Sequence, residues 1–92
     1  MKLIWADSAE ADLYSIADYY AQRDADLPDE ILGRIIAAPL ILLDQPRLGT
    51  LVELDLRKWA VRHTPFVLLY RTDDASVEVA RVIHTASNWL SG

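Results

Sequence analysis

Cysteine is absent from these 92 residues. That excludes disulfides, thiolate nucleophiles and cysteine-ligated zinc or iron–sulfur centres. Histidine occurs only at His63 and His84, too few ligands beside no thiolate to suggest a transition-metal site. Three glycines are scattered along the chain, so there is no glycine-rich loop to cradle phosphates. No serine or aspartate stands in a recognisable nucleophile setting. Long hydrophobic runs are missing as well. The longest, Ile35 to Leu43, contains Pro39 and lies between Arg34 and Asp44. A membrane-spanning helix takes about 20 apolar residues, so this run reads as core. Leu3-Ile4-Trp5-Ala6 is too short for a signal peptide and meets Asp7 at once. A cytoplasmic protein with no membrane partner is the expectation.

Bases are scarce in the first half. Residues 1–46 hold three (Lys2, Arg23, Arg34) against nine acids, a net of −6; residues 47–92 hold six against five, a net of +1. The whole chain carries −5. Direct binding to nucleic acid needs a basic surface that displaces counterions from phosphates. One modest basic zone suits a protein partner better.

Hydrophobic residues make up 52% of the chain, enough for a packed core. One domain spanning 1–92 is expected at this length. Lys2 to Ala6 reads as a strand. Asp7 then reads as an N-cap, with Glu10 three residues on completing a capping-box pattern. Leu13, Ile16, Ala17 and Tyr20 recur at helical spacing and predict a helix over about 8–23, with Asp12, Ser15 and Asp18 on its polar side. Pro28 suits the first turn of a second helix. Ile31, Leu32, Ile35, Ala38 and Leu42 carry the apolar spacing toward Asp44. Pro39 removes a backbone bond there, which predicts a kink or an early end.

After Gln45–Thr50 the period changes. Residues 51–53, 54–62, 66–71 and 76–84 read as strands with short connections, hence antiparallel neighbours. In the last, Val77, Val79 and Ile83 are expected on one face, with Glu78, Ala80, Val82 and His84 on the other. The tail, Thr85 to Gly92, reads as one short helical turn. The expected fold is α+β, an N-terminal strand and a helical hairpin packed on a three- to four-stranded antiparallel sheet. One sheet face is left free.

Several pieces stand in a set order: Ala9, Asp12-Leu13 and Ile16 ending in Tyr19-Tyr20; Ile31 to Leu43 leading into Gln45-Pro46-Arg47-Leu48-Gly49; Arg57; Pro65-Phe66-Val67-Leu68-Leu69-Tyr70-Arg71; Val79-Ala80-Arg81-Val82-Ile83-His84; and Trp89. Together they resemble the ParE branch of the ParE/RelE toxin superfamily over nearly the whole chain. The resemblance implies the toxin of a type II toxin-antitoxin system, held in a hetero-oligomer by a ParD-like ribbon-helix-helix antitoxin. It also implies a non-catalytic inhibitor of DNA gyrase that needs no cofactor and meets DNA only through the antitoxin. RelE-like relatives instead cut mRNA on the ribosome.

That alternative can be weighed residue by residue. Cleaving RNA through its 2′-hydroxyl needs a base, an acid and cations at the developing charge. Arg57, Lys58, Arg62 and Arg81 could supply cations, and His63 or His84 could move protons. The tail Thr85-Ala86-Ser87-Asn88-Trp89-Leu90 has no tyrosine, however, and Ser87 stands where relatives often carry arginine. The chain is also acidic. No catalytic residue is assigned.

Arg57, Trp59, Arg62, Arg81, His84 and Trp89 are the candidates for partner binding, on the free sheet face and the tail. Each has a plainer role. Arg57 and Arg81 could instead fix the sheet through salt bridges, and His84 could be a hydrogen-bonded strand end. The tyrosines at helical spacing read as core, and His63 beside its turn as solvated. The acids of the first helix read as a solvated face.

Overall fold

The computed structural model describes residues 1–86. Its elements run β1 (Lys2–Trp5), α1 (Asp7–Ala21), α2 (Leu27–Ala37), a 3-10 helix (Ala38–Leu43), β2 (Thr50–Glu53), β3 (Leu56–Ala60), β4 (Phe66–Thr72) and β5 (Ser76–His84). This is an α+β fold. The strands form one sheet in the order β1-β5-β4-β3-β2. β2 to β5 are the antiparallel meander that short connections dictate. β1 adds a fifth strand, parallel to β5, with Lys2 opposite Ser76 and Trp5 opposite Val79.

The helices follow the sequence with one local change, at the start of α1. Asp7 does not cap α1. Ala6 holds the cap position in extended backbone with no side-chain cap, and Asp7 and Glu10 sit in the first turn, where the helix dipole favours acids. The start of α1 is fixed by β5 instead: Ala6 N–H donates to Val79 O at 3.0 Å, and Ser8 Oγ donates to Ala80 O at 2.7 Å. α2 ends at Ala37, ahead of Pro39. Proline has no N–H for the carbonyl four residues back, and its ring crowds that turn, so the chain tightens into the 3-10 helix.

One face of the sheet carries the main core. Ala9 and Ile16 of α1 and Ile35 of α2 pack with Val61, Phe66, Leu68, Val79 and Val82. Leu42, Tyr70 and Val77 extend it beneath the 3-10 helix. The other face has a cluster built from strands alone: Val67, Leu69 and Ile83, with Leu56 packed against it. That assignment corrects the period-2 reading of β5. A register shift opposite Leu69 and Tyr70 pairs Leu69 with Arg81 but Tyr70 with Val79, leaving Ala80 as the extra residue of a bulge. One inserted residue flips the alternation beyond it, so Val82 joins Val77 and Val79 over the helices and Ile83 faces away. Val67, Leu69 and Ile83 are 7, 5 and 8% exposed, so the apolar centre of the second face offers little open surface. Among the described residues no helix is long and apolar enough to cross a membrane.

Candidate functional site

Exposed apolar side chains border the helical hairpin, among them Tyr14, Tyr19 and Ile36. A groove of about 470 Å³ runs between the helices, lined by Trp5, Glu10, Leu13, Tyr14 and Ala17 on one side and Leu32 and Ile36 on the other. Tyr14 stands 74% exposed at its rim. On α1 these residues follow the spacing i, i+3, i+4, i+7; on α2 they follow i, i+4. Both are helical faces. Tyr14 is therefore not core. The signal in the sequence is a second stripe beside the first, in which Tyr14 read as core and Glu10 as part of a solvated face.

A second groove, about 620 Å³, lies between the end of α2 and β3. Arg34, Ala37 and Ile41 form one wall, and Trp59, Arg62 and His63 belong to the other. Arg34 is paired with Glu30 at 3.0 Å. Trp59 is half-buried, and its indole Nε1–H donates to Ala38 O at 3.2 Å, which ties β3 to the end of α2. Two of the six candidates, Trp59 and Arg62, thus share one groove.

The other candidates lie apart. Arg57 donates to Gly49 O at 2.8 Å and to Arg47 O at 3.3 Å, so its guanidinium holds the loop before β2. Tyr70 joins the same clamp. Its hydroxyl donates to Pro46 O at 2.7 Å and accepts from Gly49 N–H at 2.9 Å. Burial pushes the Tyr70 phenol up, against the opposing pull of the Gly49 N–H and Arg57, which keeps it a donor at neutral pH. Gly49 is obligatory here for space: a Cβ would sit 2.6 Å from the tyrosine ring and hydroxyl and 2.7 Å from Lys58 O.

Arg81 forms a two-pronged contact with Asp12, 2.7 Å from Nε and 3.0 Å from Nη2, and Asp12 also accepts Val82 N–H at 2.9 Å. The hydrogen bond and charge of Asp12 raise the Arg81 pKa further. Asp12 is thus not on the solvated side of α1; its side chain is 16% exposed and fastens the helix to the bulge in β5. Arg57 and Arg81 do not sit on neighbouring strands, because β4 lies between β3 and β5.

His84 ends β5 with its ring 5.5 Å from that of Phe66, edge to face, and its Nδ1 accepts Ala86 N–H at 3.1 Å. His63 occupies the turn before β4 with φ of 62°. Trp89 and most of the tail, from Ser87 on, lie outside the described residues.

Among the described residues the six candidates do not converge on one point. Lys58 and Arg81 share one row of the sheet, each opposite Leu69 from its own side, but Arg81 is engaged by Asp12 and His84 stands three residues further along β5.

Residues 3–89 match the family described as ParE toxin of type II toxin-antitoxin system, parDE. The chain belongs to the ParE toxin family. It is similar to the protein named Toxin RelE2 of Caulobacter vibrioides (strain ATCC 19089 / CIP 103742 / CB 15), 31% identical over 85 residues that make up 92% of this chain and 96% of that one. Its fold resembles a chain in the solved structure of the chromosomal ParDE TA system from P. aeruginosa, with a TM-score of 0.79. That likeness covers 91% of this chain and 95% of the other at 23% identity.

Proposed function

We infer that this ParE-family toxin works in the cytoplasm, with residues 1–92 acting as one domain, by gripping another protein and not by bond chemistry. The observation that carries this reading is the open apolar groove between α1 and α2, with Tyr14 and Ile36 on its rim. Such a groove suits an amphipathic helix that inserts side chains at i, i+3 or i+4 and i+7. A ParD-like ribbon-helix-helix antitoxin, in a hetero-oligomer with the toxin, would fill it with its C-terminal segment. DNA gyrase is the target the family suggests. A non-catalytic inhibitor also accords with Arg57 and Arg81 being tied to groups of their own chain.

Adding the purified protein to a gyrase supercoiling reaction should lower activity, and equimolar antitoxin should restore it. A second reading is favoured by the relative named Toxin RelE2: an mRNA endonuclease acting on the ribosome. It would replace the first if supercoiling were untouched while ribosome-bound mRNA was cut, and Arg57→Ala with Arg81→Ala should then abolish the cutting.

A further inference from the structure

Glu53 pairs with Leu56, so the β2–β3 hairpin turns through only two residues, Leu54 and Asp55. Leu54 has φ of 44° and is 92% exposed. Each fact alone is unremarked in a folded protein, and single exposed leucines need no explanation. Their coincidence does. Positive φ brings the Cβ of a branched side chain against the following carbonyl, which is why glycine, asparagine and aspartate dominate such turns. The hairpin needs this backbone but not this residue, and the leucine side chain gains nothing to offset the strain, since it packs on almost nothing. A residue disfavoured by its backbone and by its exposure is explained by what it meets outside the fold.

We propose that Leu54 is an anchor that the β2–β3 hairpin inserts into an apolar pocket of the protein this toxin acts on, a pocket with a cationic rim. The rim follows from the flanks. Glu53 and Asp55 are both exposed beside Leu54, and Asp55 is only partly answered by Arg71 at 3.6 Å. A two-residue turn presents its side chain on a narrow, stiff support, so little freedom is lost on docking. A second copy of the chain is a poor occupant, because an acidic tip would approach a molecule of net charge −5. The inference rests on the protein-target reading above and assigns it a contact point at the end of the sheet remote from β1.

Leu54→Asn separates the anchor from the fold. Asparagine accepts positive φ and removes the apolar side chain. In the full chain, the variant should melt at the same temperature as the parent or higher, while growth arrest on induction in bacteria weakens by about tenfold or more in surviving colonies, the loss of one interface anchor. Leu54→Met should retain arrest. A lower melting temperature for Leu54→Asn would give Leu54 a structural role and overturn the proposal. So would undiminished arrest by Leu54→Asn at equal soluble level, or self-association of the parent that Leu54→Asn abolishes. If the parent itself arrests nothing, it is the toxin reading that fails, a result distinct from all of these.

Discussion

Two hairpins of one sheet are built on different terms. β4–β5 is its centre: Phe66 through Tyr70 are all buried, and Val77 and Val79 are fully so. Its turn uses local chemistry. Asp73 accepts Ala75 N–H and Ser76 N–H at 2.8 Å each, and those donors hold its carboxyl below the usual range. β2–β3 is the rim. Its strands are mostly exposed or half-buried, β2 is irregular between Leu51 and Glu53, and its turn sets a leucine at positive φ. The first hairpin supplies most of the buried strand residues, which leaves the tip of the second free to carry a contact. A side chain can be chosen for recognition where folding places few demands on it.

The contrast can be broken by measurement. Leu68→Ala, in the centre of β4 and fully buried, should lower stability by about 3 kcal/mol in denaturant unfolding, the usual cost of an unfilled core site. A loss under about 1 kcal/mol would mean the centre is not where stability resides. Gly49→Ala forces a Cβ into the Tyr70–Lys58 contact and should cost about 2 kcal/mol by overpacking. An unchanged melting point would show the clamp at the start of β2 to be slack.

A third test uses pH. The folded state depresses the Asp73 pKa, so its contribution is present above about 3.9, the ordinary carboxylate value, and is lost as pH falls through the lower folded value. Asp73→Asn should therefore melt below the parent at pH 7, with the gap closing in acid. A gap that stays constant to pH 2 would remove the turn carboxylate from the account. At the rim, Leu51→Ala should change stability by less than about 0.5 kcal/mol, since Leu51 is half exposed on the edge strand. A core-sized loss there would erase the distinction between the hairpins.

Parts of this were legible without coordinates because they depend on neighbours in the chain. Pro39 called for a kink or an early end to α2, the run from Phe66 for a strand, and short connections for antiparallel pairing. The candidate site was less legible. The sequence offers Arg57, Trp59, Arg62, Arg81 and His84 as candidates, and the structure scatters them, joining only Trp59 and Arg62 in one groove. The groove beside Tyr14 needed two helices to be brought together before its stripes became one surface. Asp12 looked solvated until Arg81, 69 positions away, arrived beside it.

What the sequence determined by itself was the element order, the family, and the kinds of chemistry excluded by a chain without cysteine and with two histidines. Those follow from composition and from spacing along one strand or helix turn. Tertiary structure alone decided which way β5 faces after its bulge, which arginines are engaged, and that Leu54 stands at a turn tip. Each of these depends on register between segments far apart in the chain. A shift of one residue there reverses a face or frees a charge, while leaving every local pattern unchanged.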